Sequence, residues 1–288
     1  MHDHLEVEPG IRGFHELDSP QGKNHAHVTR RAATIGEDAA DCAGLTMAWA
    51  RQPHEVLEAQ RLRWKVFADE LGARIATPSP GYDIDIFDPY CDHLLVRNAE
   101  GLLVGTYRVL PPHQAQRVGG LYSETEFDIT RLVHLRPRLL ELGRSCVHQG
   151  YRSGAVIMAL WAGLAQYMRS NGLDAMIGCA SVSMRDGGHY AASLWARLRQ
   201  THLAAVEDHM QPRLPLPVAS LRQDVPTEAP PLLKGYLRVG ARICGAPAWD
   251  PDFNTADFPL LMRLADVNPR YARHFLHAAD NRASLAAV

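Results

Sequence analysis

Paired cysteines, long apolar runs and a strong net charge are all missing from this chain of 288 residues. Its five cysteines, Cys42, Cys91, Cys146, Cys179 and Cys244, stand singly. No CxxC spacing occurs, which argues against a zinc ribbon and gives no disulfide framework. Cys146 and Cys179 fall in apolar segments, where a free thiol packs as a small apolar group. That usage fits a reducing cytoplasm. No segment reaches the roughly 20 apolar residues of a membrane-spanning helix. The N-terminal stretch carries acidic residues in place of a signal peptide's apolar core. The expected location is therefore cytoplasmic, and a peripheral contact at the inner membrane, which needs no span, stays open. A net charge of −2 gives no basic footprint for nucleic acid. Histidines are present near the start, at His2, His4, His15, His25 and His27, but their irregular spacing predicts no metal site.

What is present fits a soluble globular α/β domain. Residues 1–43 lack periodicity and read as a leader without structure of its own. Residues 44–278 read as one domain, and 279–288 as a frayed tail. The organising stretch is 141–181. A strand at 139–147 leads into the turn HQGYRSG, an apolar-periodic helix at 155–168 and a second strand at 174–180. Helix N-termini leave N–H groups unpaired and partly positive, and glycines there let an anion approach. Gly150 and Gly154, with Arg152 between them, suit such a cradle. A glycine in a strand-to-helix turn more often merely turns the chain.

Around that centre the chain predicts a strand at 45–51 and a helix at 54–71, entered at Pro53 and closed by Gly72. Val56, Leu57, Gln60, Trp64, Phe67 and Leu71 mark its expected inner face. Residues 77–90 read as a loop in which Asp83 and Asp85 are solvated. Strands at 93–97 and 102–110 form a hairpin. Between 114 and 138 a helical turn is expected, with Ser123 as its cap and Glu126 completing a capping box. Helices at 188–205, 232–240 and 269–277, an extended piece at 243–248 and a strand at 258–264 complete the chain.

The turn QGYRSG between strand and helix resembles the acyl-coenzyme-binding core of the GNAT acyltransferases, whose pyrophosphate loop Gln149, Gly150, Arg152 and Gly154 match with the glycines displaced. A narrower likeness rests on separated motifs. Arg63 and Phe67 in RLRWKVF, Asp88 and Asp92 in DPYCDHLLV, Arg108 in VGTYRVL, and Glu141 and Arg144 in ELGR resemble the acyl-homoserine-lactone synthases. Together with GRSCV, GCAS and the block PPLLKGYLRVGARICGAPAWDPDFNTADF, they resemble the bacterial L-ornithine N-alpha-acyltransferases of ornithine-lipid synthesis, over residues 45–276. That resemblance implies a GNAT-like fold, a central mixed β-sheet flanked by helices, with a C-terminal extension. It implies transfer of a 3-hydroxyacyl group from the phosphopantetheine thioester of acyl carrier protein to the alpha-amine of L-ornithine. The product is lyso-ornithine lipid, and no cofactor is held.

Aminolysis of a thioester needs a proton acceptor, donors for the carbonyl's developing charge and fixed partners for the amino acid. Glu141 is the first candidate to accept the proton or hold the amine, against a bland reading as a strand-end carboxylate paired with Arg144. Arg144 lies three residues on, which in a regular strand is the opposite face. The two share a site only if the strand bulges or curves. Asp88 and Asp92 would take the ammonium groups, or cap the hairpin. Arg63 and Arg108 would grip the carboxylate two-pronged, and Phe67 would border the substrate or belong to the core. Gln149, Gly150, Arg152 and Gly154 would hold the pantetheine arm. Arg131, Arg136 and Arg138, or Arg152 with Arg169, would steer an acidic carrier. His93 and His148 are further bases to weigh. Competing readings are an acetyl-coenzyme A N-acetyltransferase, an acyl-homoserine-lactone-type synthase, and a non-catalytic membrane- or haemolysis-related module.

Overall fold

The computed structural model describes Ala33–Thr34 and residues 44–267. The rest of the expected leader, the terminal helix at 269–277 and the frayed tail at 279–288 lie outside the described residues. In chain order the elements are β1 (Ala33–Thr34), β2 (Thr46–Trp49), α1 (Pro53–Trp64), β3 (Asp92–Arg97), β4 (Leu103–Leu110), α2 (Pro112–Val118), α3 (Ser123–Glu126), β5 (Phe127–Asp128), β6 (Leu139–Val147), α4 (Ala155–Ser170), β7 (Ala175–Ser183), α5 (His189–Leu198), β8 (Gln211–Pro212), α6 (Pro231–Val239), β9 (Arg242–Ile243), β10 (Ala248–Asp250) and β11 (Thr255–Arg263). The main sheet runs β1-β2-β3-β4-β6-β7-β11-β10, with β9 also on β11, and β5 pairs with β8 apart from it. Among the strands of the described residues only β6 and β7 pair in parallel, joined through α4; the other strand pairs are antiparallel. A parallel pair needs such a crossover, and a 16-residue helix supplies it. The expected mixed sheet flanked by helices, with a C-terminal addition built from α6 to β11, is therefore present. Among the described residues no helix is long and apolar enough to cross a membrane.

The core is built on both faces of this sheet. On one, Val156, Ala159, Leu160, Leu164 and Met168 of α4 pack against Leu94, Val96, Val104 and Leu140 of the strands. Gly163 permits that approach, because a Cβ there would fall 2.5 Å from Met47 Sδ. On the other, Phe127, Ile129 and Leu132 pack with Leu139, Ile177 and Leu261. Continuous apolar runs suit strands covered on both sides.

Two local findings shape the site. First, the β6–β7 pairing runs from Leu139↔Ala175 to Leu142↔Gly178 and stops, although the strands go on to Val147 and Ser183. The edges of both strands part there and leave a cleft. Second, β6 bulges against β4. Arg108 faces Gly143 and Thr106 faces Cys146, so Arg144 and Ser145 together oppose Tyr107. Arg144 takes the left-handed conformation, φ 52°. A bulge re-aims a side chain in this way.

Several expectations are corrected. The buried residues of α1 are Ala59, Gln60, Leu62 and Arg63, followed by Val66 beyond its end; of the expected face Gln60 is buried, whereas Leu57 and Leu71 are exposed. Periodicity of apolar residues missed the rest because that face contains an arginine. After Trp64 the helix widens into a π-helix, Lys65–Glu70, before Gly72 ends it at φ 81°. Ser123 is not the cap of α3; Tyr122 holds that position. The Ser123 hydroxyl is instead drawn to a buried carboxylate on β6. The helix expected at 188–205 stops at Leu198.

Candidate active site

The cleft encloses about 730 Å³. Its walls come from the parted edges of β6 and β7, from β10 and β11, from Tyr122, and from Phe67 on the π-helix. One end is polar, with Arg108, Tyr122, Arg144, Asp250 and Asp257. At the other end Leu142, Met176, Tyr236 and Met262 are shared with a small apolar hollow reaching Trp161, Leu164 and Val239. The hydroxyls of Tyr107 and Tyr236 are hydrogen-bonded to each other beside this end.

Behind the polar end lies a buried ion network. Arg63 is fully buried. Its Nε donates to Asp83 at 2.8 Å and its Nη2 to Asp88 at 2.7 Å, with a further bond to the Asp83 carbonyl. Arg108 Nη1 donates to Asp85 at 2.7 Å and Asp88 at 3.1 Å. Arg144 completes the set, 3.2 Å from Asp83 and 3.4 Å from Asp85. Asp83 and Asp85 are therefore not a solvated loop. Three arginines carried inward by α1, β4 and β6 require carboxylates beside them, since an unpaired buried charge is costly. Burial alone would raise the Asp88 carboxyl, but Arg63 and Arg108 outweigh it and hold it below its ordinary value. His93 is pushed down to about 4, by burial and then by Arg63. It is thus neutral at neutral pH, its Nδ1 accepting from Arg63 at 3.2 Å.

Glu141 is buried, with 3% of its surface exposed, and does not line the cleft. It accepts from the Tyr122 and Ser123 N–H groups and from the Ser123 hydroxyl, all at 2.6 Å. Burial pushes its pKa up, and these donors oppose the shift. Tyr122 then lays its ring against Arg144, with centroid and guanidinium carbon 5.0 Å apart, and Phe253 covers the same guanidinium at 4.9 Å. Phe67 meets Phe253 edge-on at 5.7 Å. The bulge does bring Glu141 and Arg144 to one place, although they touch the same tyrosine and not each other.

Of the residues singled out in the sequence, Phe67, Arg108 and Arg144 line the cleft. Arg63 and Asp88 lie behind it in the network. Asp92 stands apart, accepting from the Tyr167 hydroxyl of α4 at 2.6 Å. Gln149, Gly150, Arg152 and Gly154 also lie outside the cleft lining. Gln149–Tyr151 forms a single 3₁₀ turn and Gly154 caps α4 at φ 107°. Arg152 is held by Glu70 at 2.5 Å and by the Val147 carbonyl at 3.1 Å. Arg136 and Arg138 are paired with Glu124 and Asp174.

A second acidic group at the cleft escaped the sequence reading. Glu126, Asp250 and Asp257 bring carboxylate oxygens within 4.8 Å of one another. The two Asp257 neighbours in β11, Ala256 and Phe258, are fully buried, and Asp257 is itself buried. An acidic residue inside an apolar strand was the available signal. Burial, followed by the charge of Asp257, raises Glu126, and burial raises Asp257. Burial also raises the Cys179 thiol and the Tyr122 hydroxyl beside them, so both stay protonated. The cleft thus offers positive charge on Arg108 and Arg144, a cluster of carboxyl groups on the trio, free strand edges between them and an apolar hollow. Such a site can orient a zwitterion against an acyl chain.

Comparison with known proteins finds relatives over most of the chain. The Acetyltransferase (GNAT) domain family matches residues 62–162. An L-ornithine N(alpha)-acyltransferase of Rhizobium meliloti (strain 1021) is 34% identical over 276 residues, which cover 88% of this chain and 91% of that protein. One from Brucella abortus (strain 2308) is 36% identical over 236 residues, covering 75% of this chain and 83% of that protein. Among solved structures, the AHL synthase LasI aligns with a TM-score of 0.47 at 14% identity, over 80% of this chain and 93% of that one.

Proposed function

Since the chain belongs to the L-ornithine N(alpha)-acyltransferase family, we propose that it acylates the alpha-amine of L-ornithine, taking a 3-hydroxyacyl group from acyl carrier protein and forming lyso-ornithine lipid. The observation that carries this reading is the two-ended cleft between the parted strands. A charged end suits an amino acid, and an apolar hollow suits a long acyl chain better than an acetyl group. Arg144, backed by Arg108, faces the ornithine carboxylate. The edge of β6 beyond Leu142 has no β7 partner, so its backbone groups can meet the thioester and the pantetheine arm.

The reaction is a direct aminolysis. The ammonium releases a proton, the neutral nitrogen attacks the thioester carbonyl, a C–N bond forms and the C–S bond breaks. The amine nitrogen gives up a second proton as the amide forms. The departing thiolate takes up one proton and the other leaves to solvent. No covalent enzyme intermediate is needed. A carrier-bound donor is favoured over coenzyme A because Arg152, the residue placed to meet a nucleotide pyrophosphate, is already taken up by Glu70. The product is a lipid, so the enzyme works in the cytoplasm with peripheral access to the inner membrane.

Purified protein incubated with 3-hydroxyacyl carrier protein and L-ornithine is expected to give N-alpha-acylornithine by mass spectrometry. Product from acetyl-coenzyme A and ornithine, with none from the carrier thioester, overturns the reading.

A further inference from the structure

Two buried groups of acids occur near the cleft, and they differ in one respect. Asp83, Asp85 and Asp88 are matched by Arg63, Arg108 and Arg144. Among the described residues no such ion pair reaches Glu126, Asp250 or Asp257. Asp257 has 4% of its surface exposed and lines the cleft, and its Oδ1 has no full hydrogen bond. Ser181, Thr255 and Glu126 are its nearest polar company. Both carboxylate oxygens of Glu126 are likewise buried without a full hydrogen bond, with the Tyr122 hydroxyl and Asp257 as their polar company. An orphaned, buried carboxyl oxygen at a cavity wall is costly unless a donor arrives with a ligand.

The placement of the trio indicates which donor. An ammonium donating three hydrogen bonds of about 2.8 Å along tetrahedral directions has its acceptors about 4.6 Å apart. The carboxylate oxygens lie within 4.8 Å of one another. A divalent cation, with oxygen ligands at roughly 2.0–2.6 Å, also fits within that limit, so the position of the trio across Tyr122 from Arg144 is what favours the ammonium. The Tyr122 hydroxyl interacts with both Glu126 and Arg144 and so bridges the acidic pocket and the cationic one. An amino acid with a carboxylate at one end and a second amine on its side chain fits such a pair of sites.

We propose that Glu126, Asp250 and Asp257 form the pocket for the side-chain ammonium of the acceptor and set the preference for a diamino acid over a neutral one. This rests on the reading of the chain as an ornithine acyltransferase. The side-chain ammonium donates to the three carboxylates and stays protonated there, and the alpha-amine, close to the Arg144-bound carboxylate, is left as the nucleophile. Regiochemistry follows from the same contact. The side-chain nitrogen is kept charged and cannot attack, whereas the alpha nitrogen can.

The test compares L-ornithine with L-norvaline, which has the same carbon chain and no second amine. In the parent protein, kcat/KM with the same acyl donor is expected to favour ornithine by at least about 100-fold, since a site built for a polar group rejects an analogue that leaves it unpaired. Asp257→Asn and Glu126→Gln are each expected to lower that ratio at least about tenfold, mainly through KM for ornithine. Calorimetric binding of the two amino acids without donor gives the same comparison independently of turnover. A parent that binds both equally, or variants that leave the ratio unchanged while activity falls on both substrates, overturns the proposal. So does parental ornithine binding that is abolished by EDTA and restored by a divalent metal, because the trio would then be a metal site. Ornithine binding with no acylation from any donor leaves this pocket standing and removes the proposed reaction.

Discussion

Replacing Glu141 by glutamine separates two roles that this residue could have. In the structure, its carboxylate accepts three short bonds from Tyr122 and Ser123. Glutamine can keep its carbonyl oxygen towards Ser123, but its NH₂ group then faces the Tyr122 N–H, donor against donor. One charge-assisted bond is lost, worth about 1.5–3 kcal/mol, and the two that remain fall towards neutral strength. The expected loss is about 3 kcal/mol, with no allowance needed for solvent because the group is buried. For a domain of this size that lowers Tm by about 6–12 °C. The loosened segment carries the tyrosine that packs on Arg144, so kcat/KM should fall about 100-fold through misplacement alone. A proton acceptor would behave differently. Glu141→Gln would then cost about 10²–10⁴ in rate and remove the limb of the pH profile belonging to that base, while Tm stayed at the parental value. Differential scanning fluorimetry and a pH series of kcat/KM, on Glu141→Gln and on Ser123→Ala, distinguish the two. A parental Tm for Glu141→Gln refutes the positioning role derived from the structure. Ser123→Ala should move Tm and rate in the same direction by a smaller amount, with the pH profile unchanged in shape.

The remaining expectations concern groups with displaced pKa values and one close contact. Unfolded histidine takes a proton near pH 6.5, while folded His93 refuses one until about 4, so the unfolded chain binds more protons in that window and stability falls as pH falls. His93 should therefore cost up to about 3 kcal/mol between these limits, and urea melts from about pH 7 to pH 4 should show a smaller decline in His93→Gln. Folded Glu126 and Asp257 titrate above their ordinary values, so the folded state holds protons that the unfolded state has released, and stability is lost as pH rises from the ordinary carboxylate range through the raised one. Glu126→Gln should raise Tm more at pH 8 than at pH 5, and equal shifts at both would contradict the assignment. A Cβ at Gly178 would fall 2.6 Å from the Leu142 carbonyl oxygen, where β6 and β7 part, so Gly178→Ala should cost about 1–3 kcal/mol in a urea melt.

How far the sequence reaches can be judged from particular residues. The strand at 139–147 was legible to the residue because its apolar run is bounded by turn signals on both sides. The helix after it showed a clean three- and four-residue period. Strand geometry also asked for a bulge or curvature if Glu141 and Arg144 were to share a site; a bulge lies at 144–145, and of the two only Arg144 lines the cleft. The ion network was not legible. Its six members come from α1, a loop, β4 and β6, and no local pattern links Arg63 to Asp83. A polar loop reads as solvated unless the charges that meet it are known. The inner face of α1 was misread in part for the same reason, since Arg63 occupies a position where a search for apolar period expects leucine, although Gln60 was placed on the face that is buried. Glu126, Asp250 and Asp257 are remote in sequence, and only β11 pairing with β7 and β10 brings the latter two to the cleft.

The two acidic groups also explain each other. Three arginines satisfy Asp83, Asp85 and Asp88, so that network is complete without a ligand and can hold Arg144 in place while the cleft is empty. The trio has no such partner, and the raised carboxyls of Glu126 and Asp257 mark a site that burial makes unfavourable to charge. A sheet built only for stability would carry an apolar residue at Asp257, between two buried neighbours. The rigid network and the acidic trio are joined at Tyr122, whose backbone is held by Glu141 and whose hydroxyl interacts with Arg144 and Glu126. Fixing that one tyrosine fixes the spacing between the carboxylate-binding and ammonium-binding ends of the cleft. Amino acids of one length are then favoured. Adding a methylene between the two charged ends, as lysine does, should raise KM well before it affects the chemical step, and equal KM values for ornithine and lysine would show that the spacing is not held.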